Sequence, residues 1–202
     1  MKRWLMTLML VGMLLLTACA TMTADKPEHY IGPAELSESE RALANLLGEN
    51  YPQQVFDFAV PETVESMSVR VLQLLDGQWV PASGGGTVGV TYTGQKGRIA
   101  LDYDTLGDGV KVSIQKDGGI YRMERTVPEQ IDTAGLSRAQ TWLSQVVEIV
   151  PGQEIPLAIQ ILSSQLDIPL WGPESFAEPE KYAGHEHVFV VTVTFNEQDL
   201  GE

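Results

Sequence analysis

Cysteine is almost missing from this chain: Cys19 is the only one in 202 residues. No disulfide can form within the chain, so stability must come from a buried core. Positive charge is scarce as well, with 13 Lys and Arg against 27 Asp and Glu. Such a surface repels phosphates, which excludes nucleic acid as a partner and argues against anionic lipid meeting the body directly. No apolar run reaches the roughly 20 residues that a membrane span requires. The longest, residues 4–16, is interrupted by Thr7 and Gly12. No repeat of fixed period and no complete set of catalytic or metal-binding residues is visible.

What is present begins at the N-terminus. Lys2 and Arg3 open a short positive segment, the apolar run follows, and Leu16-Thr17-Ala18-Cys19 closes it with small residues before the cysteine. This is the three-part plan of a secretory signal. Its last four residues resemble the lipobox of bacterial lipoproteins. The resemblance implies cleavage before Cys19, a diacylglyceryl thioether on its sulfur and acylation of the new amino group. Two or three chains anchor stably where one does so only marginally. The lone cysteine is thereby explained. Residues 1–18 are expected to be removed and residues 19–32 to form the lipidated tether. Ala20, in place of the aspartate that retains such proteins at an inner membrane, would permit sorting to an outer one. The expected location is the extracytoplasmic face of a membrane, reached through the lipid on Cys19. Without Lys2 and Arg3, 11 basic residues face 27 acidic ones, a balance of −16.

Residues 33–202 have the length of a single domain with a real core. Residues 33–48 read as one short helix. Ser37 and Glu40 have capping-box spacing, Leu36, Leu43 and Leu47 share a face, and Gly48 ends it. From residue 55 the period changes from helical to two. Val55, Phe56 and Phe58 begin a first strand that Pro61 stops. Met67, Val69 and Val71 alternate with polar residues up to Asp76-Gly77, a strong hairpin turn. Further alternating runs cover 88–92, 98–104, 110–115 and 120–123, separated by glycine-rich turns. One apolar and one polar face per strand is what an antiparallel sheet needs between core and water. Short strands with turns every 8–12 residues indicate an all-β fold, an antiparallel β-sandwich of immunoglobulin-like or similar type.

Over 128–150 the reading is mixed: a loop or short helix to about residue 141, started by a box at Ser137 and Gln140, then two strands. Residues 173–182 read as a loop with one helical turn. Residues 187–195 (HVFVVTVTF) are apolar on both faces and read as a central strand covered on both sides. A capped helix, a DG hairpin, alternating strands and a final VTVTF strand are together similar to uncharacterised lipoproteins of Gram-positive gut bacteria, which brings no activity with it.

Several residues suggest chemistry. Gly84-Gly85-Gly86-Thr87-Val88-Gly89 fits G-x-G-x-x-G, but a strand follows where a dinucleotide site needs a helix. Asp102 and Asp104 share the polar face of a strand near Gly107 and Asp108, as in a calcium loop. The EF-hand pattern fails, because its fifth and twelfth positions hold Leu106 and Ser113. A looser ligand site at Asp102 and Asp104 is the remaining reading beside a solvated hairpin tip. His185 and His187 lie two apart in an extended segment and could share a metal, but a third ligand is lacking. Ser137, in Gly135-Leu136-Ser137-Arg138-Ala139, is one residue from a nucleophile elbow, without the strand the elbow needs before it. Trp171, framed by Pro169, Gly172 and Pro173, is either a loop contact for a ligand or a cover for the sandwich.

No nucleophile–base pair and no full ligand set emerges, so neither catalysis nor a cofactor is expected. The residues favour a ligand- or protein-binding accessory module of the cell envelope. A metal-dependent or serine hydrolase and a structural envelope protein are the alternatives.

Overall fold

A computed structural model describes residues 26–48, 50–82, 90–91, 96–116, 119–127 and 131–198. The signal, Cys19, the first half of the tether and the Gly84–Gly89 string lie outside these residues, so the expectations placed on them stand as expectations.

Two antiparallel sheets face each other. The first has the strand order β10-β1-β2-β6-β7-β8, and the second has β4-β3-β12-β11-β9. In the first, β1 is Tyr30–Pro33, β2 Val55–Ala59, β6 Lys96–Asp102, β7 Gly109–Lys116, β8 Gly119–Thr126 and β10 Val147–Glu148. In the second, β3 is Ser66–Leu75, β4 Gln78–Pro81, β9 Ser137–Trp142, β11 Glu154–Ser163 and β12 His187–Asn196. A two-residue strand, β5 (Val90–Thr91), also pairs with β3. The expected sandwich with one short helix is what forms, and it is larger than the seven- to nine-strand immunoglobulin plan. The last part of the expected tether is built into the first sheet, where Tyr30 and Ile31 pair with both β2 and β10.

The period-two pattern explains the core. Ile31, Phe56, Phe58, Ile99, Leu101, Val112 and Ile114 enter it from the first sheet. Met67, Val69, Val71, Phe189, Val191, Val193 and Phe195 meet them from the second. The hairpin at Asp76-Gly77 forms as the sequence requires. Both residues have positive φ, 50° and 77°, as a type I′ turn between twisted strands demands.

On β11 the phase of the alternation shifts. Ile155 and Leu157 face the core, and so do Ala158 and Leu162. The register slips between Pro156 and Ala158. This bulge puts two successive residues on one face, and from there Ile159 and Ile161 point outward.

Those outward residues join a second cluster on the far side of the same sheet, with Leu72, Val188, Val190 and Tyr182. The connection 164–186 covers them. It carries two short 3-10 helices, Pro173–Ala177 and Pro179–Tyr182. Trp79 stacks on Phe176 at 5.2 Å between ring centres and meets Tyr182 edge-on at 5.8 Å. The structure is therefore sheet, core, sheet and a thin outer layer. This is why β12, third of five strands, is apolar on both faces: it has a core on each.

The reading of 137–141 as loop or helix is corrected. Ser137–Trp142 is strand β9, paired with β11 from Ser163↔Ser137 to Ala158↔Trp142. The apparent capping box at Ser137 is overridden by the free edge of β11, whose ladder groups need a partner. The helix itself, α1 (Glu38–Leu47), has the expected box. Ser37 Oγ accepts from the Glu40 amide, and the Glu40 carboxylate accepts from the Ser37 amide at 2.8 Å. Glu40 also pairs with Arg98 at 2.8 Å, and Arg98 in turn pairs with Asp57 at 2.7 Å. Of the shared leucine face, Leu36 is half-buried, while Leu43 and Leu47 are 62% and 63% exposed, with Leu46 beside them 83% exposed. No helix among the described residues is long and apolar enough to cross a membrane.

Candidate functional site

The aspartates singled out from the sequence line one hollow of about 210 Å³ together with Asp108, Lys111 and Arg125, but each is held by a different partner. β6 ends at Asp102, so the strand period that would align Asp104 with it stops there. Asp102 accepts a 2.7 Å hydrogen bond from Tyr51, whose phenol is pushed up to about 12, first by that bond and then by burial. Asp104 turns the other way and pairs with Arg138 of β9 at 2.6 Å. Its loop is clamped across the sandwich. Buried Gln160 of β11 accepts from the Leu106 amide at 2.8 Å and donates to the Asp104 carbonyl at 3.0 Å. Arg138 also donates to Thr105 Oγ1 at 2.9 Å. These contacts close one end of the sandwich, and sequence reading had missed Gln160 entirely.

The histidines separate too. His187 stacks against Phe189, which belongs to the inner core. His185 lies beside Trp171 of the outer layer at 6.3 Å. Among the described residues, no three His, Cys, Asp or Glu side chains gather around one point. Trp171 meets Tyr182 edge-on at 5.3 Å, and its carbonyl accepts from Thr141 at 2.6 Å. It covers the outward face of the second sheet. Ser137 opens a strand and is not an elbow.

A serine–histidine pair does occur, elsewhere. Ser163 Oγ and His185 Nδ1 share a hydrogen bond of 3.0 Å. Ser163 is fully buried, however, and its oxygen also accepts from the Gln165 amide at 3.2 Å. The neighbouring Glu186 carboxylate accepts from the Ser164 amide at 3.0 Å and from the Ser164 hydroxyl. Gln165 donates to the Gly184 carbonyl at 3.0 Å. Together these bonds clasp the two ends of the covering connection where β11 leaves and β12 begins.

The clasp has a pH dependence with a definite sign. Glu186 is held down to about 2, from 4.5, first by the Ser164 hydroxyl and then by its amide. A depressed carboxylate stabilises the fold above its unfolded value and loses that contribution as pH falls through the folded one. Trp79 and Trp171 fluorescence is therefore expected to shift as pH falls from 4.5 toward 2, and Glu186→Gln is expected to flatten the change. An equal shift in both proteins would assign the response to other groups.

A pocket of about 430 Å³ lies at the margin of the covering layer. It forms where the 3-10 turn Pro173–Ala177 meets the crossover from β9 to β10 and the start of β11. Leu143, Val147, Ile155, Pro156 and Phe176 supply its apolar floor. Ser144, Gln145 and Gln153 supply neutral polar groups, and Glu154 and Glu174 supply carboxylates. Glu154 is already engaged, accepting from Thr192 Oγ1 at 2.6 Å and pairing with Arg70 at 3.0 Å. No cation pairs with Glu174 among the described residues. The volume lies within the range of small-molecule sites, about 300–1,000 Å³. From sequence the pocket was invisible, because its walls come from three segments and most of its floor reads as ordinary core.

Fold and pocket define the class: an antiparallel β-sandwich with one outer face roofed by a long connection and a pocket at the roof's edge. No family model, no curated protein and no solved structure matches the chain.

Proposed function

We propose that this protein is a lipid-anchored binding module of the cell envelope, held on the extracytoplasmic face of a membrane through Cys19. The observation that supports binding is the pocket: a mostly apolar hollow with a few polar groups, set on a rigid sandwich, as small-molecule sites are. The serine–histidine pair gives no comparable support to a hydrolase, since its hydroxyl is fully buried. The signal and the lone cysteine support the anchor. From Cys19 to Tyr30 the chain spans at most about 40 Å, at ~3.3–3.6 Å per residue. The pocket would therefore work close to the bilayer.

Detergent-phase partitioning tests the anchor. Wild-type protein is expected in the detergent phase with a mass increase confined to its N-terminal peptide, and Cys19→Ser in the aqueous phase. Wild-type protein in the aqueous phase without added mass would overturn the location.

A contact with another envelope protein is the second reading, favoured by the leucines of α1. Three exposed leucines within five residues are an apolar patch of the sort that marks protein contacts.

A further inference from the structure

We infer that the pocket beside the 3-10 turn Pro173–Ala177 selects a small apolar amine, with Glu174 receiving the positive end. The inference rests on the binding-module reading and adds to it the chemistry of the ligand.

Three observations carry it. First, none of the described side chains lining the pocket is a Lys, Arg or His, so no positively charged side chain lines it. Second, its two carboxylates are not equivalent. Glu154 is neutralised by Arg70 and bonded to Thr192, whereas Glu174 has no cation of its own among the described residues. The Glu174 carboxylate lies folded back over Gly172, in space that a side chain at that position would occupy. Third, the surroundings are electronegative. Lys181 is the only Lys or Arg after residue 138, and it pairs with Glu178 at 2.8 Å. The buried Tyr182 hydroxyl is pushed up to about 12, first by burial and further by Glu174 and Glu178.

The physical logic follows from this arrangement. An apolar body fills the space beside Val147, Pro156 and Phe176 and leaves water. An ammonium carries three N–H donors and needs acceptors. Glu174 provides one, and Ser144, Gln145 and Gln153, each with a side-chain oxygen, line the same hollow. A ligand of the same shape with a carboxylate would instead meet Glu174 with like charge, and the nearby guanidinium of Arg70 is already taken up by Glu154. At an effective dielectric near 20 the difference between attraction and repulsion exceeds a factor of about ten in affinity.

A matched set of probes tests this on the exported, lipid-free Cys19→Ser chain. Phenethylammonium, 2-phenylethanol and 3-phenylpropionate share one apolar body and carry positive, neutral and negative ends. Each is titrated at neutral pH, with amide chemical shifts reporting the position of binding. The cation is expected to bind tightest and the anion about tenfold or more weaker, with shifts at Leu143, Ile155 and Phe176. Glu174→Gln is expected to bring the three affinities together, while Glu180→Gln leaves them apart. Phe176→Ala is expected to weaken all three. An anion that binds as well as the cation, or a preference that survives Glu174→Gln, overturns the inference but leaves a binding pocket. Silence of those amides toward all three probes at millimolar concentration overturns the inference and removes the pocket's support for the binding-module reading as well.

Discussion

Phe189→Ala is expected to cost about 3–5 kcal/mol of stability, the range for emptying a buried phenylalanine site. Phe189 is fully buried at the start of β12, the central strand of the second sheet. Its ring belongs to the main core, reaches toward Gly107 and carries the His187 ring stacked on it. Neighbours on both sheets are already fixed by backbone ladders, so the cavity cannot collapse cheaply. Urea unfolding followed by circular dichroism measures the loss. The midpoint should fall with little change in slope, since the surface exposed on unfolding is nearly the same. A loss below about 1 kcal/mol would mean that the two sheets are not packed against each other at this point.

Gln160→Leu is expected to cost roughly 2–3 kcal/mol, although leucine is the more apolar residue and of similar size. Replacing glutamine leaves the Leu106 amide buried without its acceptor, and an orphaned buried group costs about 1–3 kcal/mol. The Asp104 carbonyl loses one of its two donors and keeps the Arg138 contact at 2.9 Å. The effect should be local as well as global. Hydrogen exchange at Leu106 is expected to accelerate more than at the central strands. The end of the sandwich between β6 and β7 loses its tie to β11. Unchanged stability, or uniform acceleration across the sheets, would show that Gln160 is only filling space.

Both predictions concern contacts that join the sheets, where sequence reading was weakest. The strands, the DG turn and the box at Ser37 and Glu40 were legible because each depends on residues within a few positions of one another. The separate partners of the two aspartates were hidden for a related reason. Asp102 and Asp104 share a face only if the strand continues past Asp102, and the strand ends there. His185 and His187 likewise fall on separate sides because the strand begins only at His187. At Ser137 a local helix signal competed with the open edge of β11, and pairing won.

The outer layer left one trace in the sequence. β12 is apolar on both faces, which required a cover on each. Ile159 and Ile161 of β11 and Leu72 of β3 carry the same message, but the bulge at Pro156–Ala158 hides the phase on β11. What the cover consists of could not be read, because the connection 164–186 has neither helical nor strand period. The exposed leucines of α1 show the opposite case: a regular amphipathic spacing whose apolar side finds no partner among the described residues.

By itself the sequence determined the all-β class, the hairpin at Asp76-Gly77, the capped helix and the central place of β12. These follow from backbone preferences and from a two-residue alternation that burial enforces strand by strand. Only the tertiary structure decided which sheet each strand joins, that β9 is a strand, and that a roof lies over the second sheet. It alone set a pocket at the roof's edge, with Glu154 paired to Arg70 and Glu174 without a cation among the described residues. Those outcomes depend on groups tens of residues apart competing for the same hydrogen bonds and the same apolar surface, and no local pattern records who wins.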